Sequence, residues 1–468
     1  MFMNKKKNHI FLLVQSGYST KNFVLSGFLN QKDAKISFWS DQDYIQQYQV
    51  NNNFIKLPKY SYSGKLNFLQ KLKTKSEIFF NIKKFKNKDY KFYLFGITKR
   101  KASKAIIKDK LTTLIAFLFS NKRGIQFLDK PFNTLTRRTQ YYRECVKQLK
   151  EHNPTVVFCT HQRASSGVAP VLAARDLGIK TVCFIHSWDN IPKGVQLIKS
   201  DQYFVWSDYM KKEMIAHYPF INPQNIKVTG TPQFIPYLQE ENRLSREEFL
   251  KQFKLDINKK YILFSGNDKT TSPNDPIYLK DLCKTIIQLN SKNDDNYRII
   301  FRPNPIDRNE GFNLVLEQYS ELITELKPDW FGSDTFVWNK GGPSKRDLLL
   351  LVNTILHSEL VINMGSTMAL DAALLKKASC YINYDVESKY DWTVKRIYRF
   401  IHFKMIKKIN PVFWVNKRGD MFNVINEALN HPEKTELGRN LWINNITEQP
   451  IEETNNRMWR YLLESNEA

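Results

Sequence analysis

Val361-Ile-Asn-Met-Gly365-Ser366-Thr367-Met-Ala-Leu-Asp371-Ala-Ala373 is the stretch from which the architecture can be read. A short apolar run stops at a glycine, two hydroxyl residues follow, and a series of small residues comes after them. Apolar runs of this length bounded by turn signals read as buried strands, and Ser-Thr before a helix-forming run reads as a helix start. Gly365 suits the tight turn between them, and Ala369, Ala372 and Ala373 allow the helix to pack close to a sheet. Strand, tight turn and helix form the repeating unit of a parallel α/β sheet. The first N–H groups of a helix lack intrahelical partners, so Gly365, Ser366 and Thr367 make a candidate phosphate site. Asp371 lies one turn further on, on the Thr367 face, within reach of a ribose hydroxyl.

The same alternation extends on both sides. Residues 261–265, 298–301, 361–363 and 379–382 read as strands, with helices over 276–289, 344–358 and 367–375. Ligands of open α/β sheets bind beyond the carboxyl ends of the strands. Asn267 and Lys269 in Ser265-Gly-Asn-Asp-Lys269 occupy such a position, as does Arg302 in Arg302-Pro-Asn-Pro305, with a guanidinium suited to forking onto phosphate oxygens. The first half repeats the pattern: strands over 9–14, 35–39, 155–159, 180–185, 202–206 and 226–228, with helices over 23–29, 167–177 and 208–217. The expected fold is therefore α/β, with two Rossmann-like domains facing each other across a central cleft. The expected divisions are 1–237, a linker at 238–256, 257–445, and a closing crossover helix within 446–468.

In the first half, His161 follows one strand, and His186 follows the next within His186-Ser-Trp-Asp189-Asn-Ile-Pro-Lys193. Imidazoles and carboxylates at strand ends are candidates to take a proton from an acceptor hydroxyl, and His161, His186 and Asp189 remain alternatives for that role. Trp188 is either a platform for a sugar ring or part of the core. Asp41-Gln-Asp43 has the spacing of a metal-binding acidic pair but reads as surface, so no metal site is expected.

A hydrophobic fraction of 42% is enough for large buried cores and excludes global disorder. The net charge is +25, and residues 1–150 contribute about +23 of it, so the charge is concentrated in the first third. Such a segment expects an anionic partner, here a membrane surface. Within it, Leu111-Thr-Thr-Leu-Ile-Ala-Phe-Leu-Phe119 lies between Lys108/Lys110 and Lys122/Arg123. It is too short to span a bilayer and suits either an interfacial helix or a core helix with charged ends. Nucleic acid is not an expected partner, because aromatic RNA-binding motifs and glycine-arginine runs are missing. Five scattered cysteines without a CxxC pair read as reduced, buried thiols of a cytoplasmic protein.

The order of these motifs over about residues 154–385 resembles the GT-B glycosyltransferases of bacterial surface-polysaccharide synthesis. The resemblance runs from His186-Ser-Trp-Asp-Asn through Val205-Trp-Ser-Asp-Tyr-Met-Lys-Lys-Glu213 and Val228-Thr-Gly-Thr-Pro-Gln-Phe234 to Arg302-Pro-Asn-Pro and Gly365-Ser-Thr. A more distant similarity links it to the CDP-glycerol glycerophosphotransferases of teichoic acid synthesis. Their His-Gly and Arg-Pro-His-Pro motifs correspond to His186-Ser187 and Arg302-Pro303-Asn304-Pro305. The resemblance implies a metal-independent transferase without cofactor. It implies a nucleotide-sugar donor against Arg302, Gly365, Ser366 and Thr367, and a catalytic or acceptor-side role for His186 and Asp189. The acceptor would be a glycan, lipid-linked at the inner face of the cell membrane. A CDP-linked polyol-phosphate transferase and a sugar-nucleotide epimerase are the alternatives.

Overall fold

A computed structural model describes residues 8–464, apart from 32, 49–52, 95–102, 195, 294–295, 306–309, 333–340, 389 and 391. The chain divides into two compact units, one of Met1–Gln233 with Ile446–Ala468 and one of Phe234–Asn445.

The first unit holds β1 (Asn8–Leu13), β2 (Ala34–Ser40), β3 (Asn53–Lys56), β4 (Val156–Cys159), β5 (Lys180–Phe184), β6 (Gln202–Val205) and β7 (Ile226–Val228). They form one sheet in the order β3-β2-β1-β4-β5-β6-β7, and every pairing is parallel. Ile10–Leu13 and Val157–Cys159 are fully buried, as strands covered on both faces must be. Winding reverses between β1 and β4, so the loops after these two strands flank a switch point.

The second unit has β8 (Lys260–Ser265), β9 (Tyr297–Arg302), β10 (Ile323–Glu325), a two-stranded antiparallel β11 (Trp330–Phe331) with β12 (Gly342–Pro343), then β13 (Leu360–Asn363), β14 (Ser379–Ile382) and β15 (Phe413–Val415). Its main sheet is also parallel, in the order β10-β9-β8-β13-β14-β15, and reverses between β8 and β13. Both units are thus doubly wound α/β sheets, the pair of Rossmann-like folds expected from the strand and helix alternation.

The structure differs from the sequence reading at three places. The first helix is α1 (Gly17–Val24), not 23–29, because the Ser16 side chain caps it by accepting from the Ser19 N–H. Residues 50–150 are mostly helical: α2 (Gly64–Phe85), α3 (Ser103–Leu118), α4 (Lys122–Arg137) and α5 (Gln140–His152). Here Lys73 is only 1% exposed, and its charge is matched by Asp129 at 2.7 Å and by the Gln196 carbonyl at 3.0 Å. The stretch 238–256 is not an independent linker but packs within the second unit. Ser245 and Glu248 close a capping box there, Phe249 stacks on His357 at 5.3 Å, and Leu244 N donates to Asn353 Oδ1.

The terminal helix Thr454–Leu463 completes the first unit. Trp459 stacks on Phe28 at 4.9 Å and donates Nε1–H to the Phe28 carbonyl at 2.9 Å. Lys180 Nζ donates to the carbonyls of Tyr461 and Glu464 at the helix end, at 2.7 and 2.8 Å. Gly230, at φ +86°, leaves room for the helix start, since a Cβ there would lie 2.4 Å from Thr454 Oγ1. Trp459→Ala removes both ring and hydrogen bond, so it is expected to cost the first unit about 3–5 kcal/mol. Urea unfolding followed by fluorescence from the first unit measures this, and a loss below about 1 kcal/mol contradicts it.

Candidate functional site

In the first unit the loop after β4, at the switch point, and the loop after the adjacent β5 bring His161 and His186 together. Their rings stack with centroids 4.0 Å apart and planes 15° from parallel. Thr160 Oγ1 ties the start of the β4 loop to the Leu13 carbonyl at 2.8 Å. His161 Nδ1 accepts from the Arg163 N–H at 3.2 Å, which leaves Nε2 to carry the proton of the neutral ring. Gln162 Oε1 accepts from the His186 N–H at 2.8 Å, and Gln162 Nε2 donates to Asn190 Oδ1 at 3.2 Å. Asn190 Nδ2 in turn donates to Asp189 Oδ1 at 2.9 Å, and Lys193 pairs with Asp189 Oδ2. Asp189 is therefore held by an amide and an ammonium four residues on. Trp188 is 5% exposed, so its ring belongs to the core rather than to an open sugar platform.

Burial pushes His186 down to about 4, with Asp189 acting in the opposite direction. Burial also holds His161 well below its ordinary value, and the neighbouring His186 and Arg163 charges add to this. Both imidazoles are thus neutral near neutral pH and able to accept a proton. Two rings in stacking contact cannot both be charged cheaply, so a proton on either ring disfavours a second on its neighbour. Glu213, which sequence reasoning did not single out, is pushed up to about 8 by burial, with the Asp189 charge adding to the shift. Gln15 was also missed. Its Nε2 donates to Ser166 Oγ at 3.1 Å and its Oε1 accepts from Cys159 Sγ at 3.2 Å. A Cβ at Gly167 would sit 2.6 Å from Gln15 Nε2, so a larger residue there would displace the Gln15 amide.

In the second unit, Asn267 links the two switch-point loops. Its Nδ2 donates to the Met364 carbonyl at 3.1 Å and to Asp275 Oδ2 at 3.2 Å, and its N–H reaches Asp275 Oδ2 at 2.7 Å. Burial raises Asp275 to about 6 against the pull of the Asn267 N–H. Gly365 adopts φ +65°, and a Cβ there would approach Phe403 to 3.0 Å. Ser366 N donates to Asn363 Oδ1 at 2.8 Å, and Tyr381 donates its hydroxyl to the Ser366 carbonyl at 2.9 Å. Thr367 caps the seven-residue helix Met368–Leu374 in helical geometry without a side-chain cap bond. Asp371 is buried and faces the Tyr237 hydroxyl, which its charge pushes upward after burial itself. Lys269 is exposed beyond the Asp268 turn.

Arg302 ends β9 and is 5% exposed. Its Nη2 donates to Asp347 Oδ1 at 2.7 Å, and the same carboxylate accepts Trp330 Nε1–H at 2.9 Å and the Asp329 N–H at 3.0 Å. Arg302 Nη1 is buried with no hydrogen-bond partner among the described residues, as is Asn363 Nδ2 beside the Gly365 loop. Buried donors left unmet are costly, which makes these the two positions where an anionic or polar ligand gains most. Asp347 was missed in the sequence. Its only sign there is the Ser344-Lys-Arg-Asp347 spacing of a helix start, where Ser344 Oγ accepts from Asp347 N–H at 3.0 Å. No cluster of three or more metal-ligating side chains occurs among the described residues, and Asp43 pairs with Lys56 at the surface, 2.9 Å away.

The family model "Glycosyltransferase Family 4" matches residues 118–231, from the end of α3 to the loop after β7. Comparison with curated proteins finds no match. The S. aureus MnaA–UDP structure superposes with a TM-score of 0.54 at 9% identity, over 97% of this chain and 95% of that one. The Methanocaldococcus jannaschii UDP-GlcNAc 2-epimerase gives 0.53 at 14% identity, over 97% and 100%. The Neisseria meningitidis UDP-GlcNAc 2-epimerase bound to UDP-GlcNAc gives 0.52 at 11% identity, over 98% and 100%. The chain has the GT-B fold, and its residues 118–231 are similar to the matched glycosyltransferase family.

The His186 shift has a measurable consequence. With a folded pKa near 4 against an ordinary 6.5, the unfolded chain binds the proton first. The stabilisation is therefore complete above pH 6.5 and drains away as pH falls towards 4. An NMR titration is expected to show the His186 imidazole neutral down to about pH 4, and a midpoint above 6 contradicts the burial argument.

Proposed function

We propose that this chain moves a sugar from a nucleotide-sugar donor onto a lipid-linked glycan acceptor, in cell-surface polysaccharide synthesis at the inner face of the cell membrane. The observation that carries the reading is Arg302, a buried guanidinium gripped by Asp347 on one nitrogen and unmet on the other, at a strand end of the second unit. The donor diphosphate takes Arg302 Nη1 and lies against the Gly365-Ser366-Thr367 turn, with Asn267 and Lys269 on the adjoining loop. Asp371 sits further along the same helix. Charge developing on the leaving diphosphate is met by these donors, so a metal ion is not required. In the first unit, His186 or its stacked neighbour His161 takes the acceptor proton, and Asp189, already paired with Lys193, positions the His186 loop.

The likeness to UDP-GlcNAc 2-epimerases supports a second reading, in which a nucleotide sugar is epimerised without an acceptor. The Arg302-Pro-Asn-Pro305 stretch keeps open a CDP-linked polyol-phosphate transferase, which would bind CDP in preference to UDP or GDP. Thermal-shift measurement against UDP-, GDP-, CDP- and CMP-sugars identifies the donor. Product analysis with the donor alone then separates transfer from epimerisation, since only an epimerase converts it without acceptor.

Arg302→Lys retains the charge but loses the fork, and is expected to weaken donor binding by roughly tenfold to a hundredfold while the protein stays folded. Calorimetric titration reads this, and unchanged affinity removes Arg302 from the site. Chelation with EDTA is expected to leave turnover unaltered, and a loss restored by added divalent cation contradicts the metal-free mechanism.

A further inference from the structure

Helix α3 covers α2 with one face and leaves the opposite face bare. Thr112 and Ala116 point inward, and Ala116 packs with Leu72 of α2 and Leu128 of α4. On the other side Ile107, Leu111, Leu114 and Leu118 are 67%, 57%, 62% and 68% exposed. Their spacing of four, three and four residues puts them in one stripe along the helix. Phe127 of α4, also exposed, extends the stripe, with its ring stacked 5.9 Å from Phe119. Of thirteen large hydrophobic side chains exposed among the described residues, seven lie within 106–127, so this is a patch and not scatter.

Cations surround the patch. Lys108, Lys110, Lys122 and Arg123 belong to this short segment, and the one acid between them, Asp109, is already paired with Lys75 at 2.9 Å. An apolar stripe bordered by lysines matches the two layers of an anionic bilayer surface, acyl chains beneath and phosphates around. A second copy of this chain fits worse, because a self-complementary contact would bring like charges together. None of the helices described is long and apolar enough to cross a membrane, so the contact is with one leaflet.

We propose that the exposed face of α3, with Phe127 of α4, is a docking surface for an anionic lipid bilayer, inserting Ile107, Leu111, Leu114 and Leu118 among the acyl chains while the flanking cations meet lipid phosphates. The surface is coupled to the catalytic loop of its own unit, because α2, on which α3 rests, donates from Gln70 Nε2 to Ser165 Oγ at 2.9 Å, four residues after His161. Docking therefore anchors the loop that carries the proposed base. The proposal is independent of which donor the enzyme uses.

Flotation of the full chain with phosphatidylcholine vesicles, with and without phosphatidylglycerol, tests it at low and high salt. Wild type is expected to float with the anionic vesicles at low salt and to be partly released by high salt. The combined variant Leu111→Ser, Leu114→Ser and Leu118→Ser is expected to lose about tenfold or more of that partitioning, with its circular dichroism and thermal midpoint retained. Leu314→Ser, at a 73% exposed site in the second unit, controls for exposed leucine as such and is expected to bind like wild type. Lys108→Gln with Lys122→Gln is expected to weaken binding and flatten its salt dependence. Failure of wild type to float with anionic vesicles, or undiminished flotation of the leucine variant, overturns the proposal. Concentration-dependent dimerisation abolished by the leucine changes, without flotation, overturns it in favour of a second copy.

Discussion

Strands that all run one way must bury both faces, and they place all their carboxyl ends on one side of the sheet. That constraint shapes both units. It makes β1, β4, β8 and β13 continuous apolar runs with no polar face, and it confines the polar chemistry to the residues just beyond each strand. Where the winding reverses, between β1 and β4 and between β8 and β13, the flanking helices diverge and the loops face each other. His161, Asn267, Met364 and Gly365 come from those loops, and His186 and Arg302 from the ends of adjacent strands. The sites follow from topology before any individual side chain is considered.

Topology alone does not hold a charged group in place. At Arg302 the second unit does this with a carboxylate that is itself fully engaged, since Asp347 accepts from Arg302, Trp330 and the Asp329 backbone. Such a partner keeps the guanidinium buried and oriented, and the remaining nitrogen is directed without being satisfied. The first unit relies on a chain of amides instead. Gln162 holds the His186 backbone and Asn190, Asn190 holds Asp189, and Lys193 neutralises it. The result is a pair of stacked imidazoles whose burial keeps them neutral.

The central strands were legible because burial on both faces writes itself as unbroken apolar sequence, as in Ile10–Leu13 or Val156–Cys159. Of the short edge strands, β7 was read at 226–228, whereas β3, β10 and β15, three or four residues long, were not. The helices of residues 64–152 were obscured by lysine. Lys73 and Lys75 interrupt any apolar helical pattern, yet both are buried against Asp129 and Asp109, partners more than thirty residues away. Of the candidate site, the strand-end positions of His161, His186, Asn267, Arg302 and Gly365 were legible in the sequence. Asp347, Gln15 and Glu213 were not found, because each acts through a partner distant in sequence or through burial. The stretch 238–256 is polar enough to read as a linker, but its few apolar residues, Phe249 and Leu250, are fully buried.

The proposed function places a nucleoside diphosphate sugar at the β8/β13 switch point of the second unit. Hydrogen–deuterium exchange with and without saturating donor tests it most directly. Slowed exchange is expected over residues 265–270 and 363–368 and at the end of β9. Binding with protection confined to the first unit, or to neither switch-point loop, would contradict it.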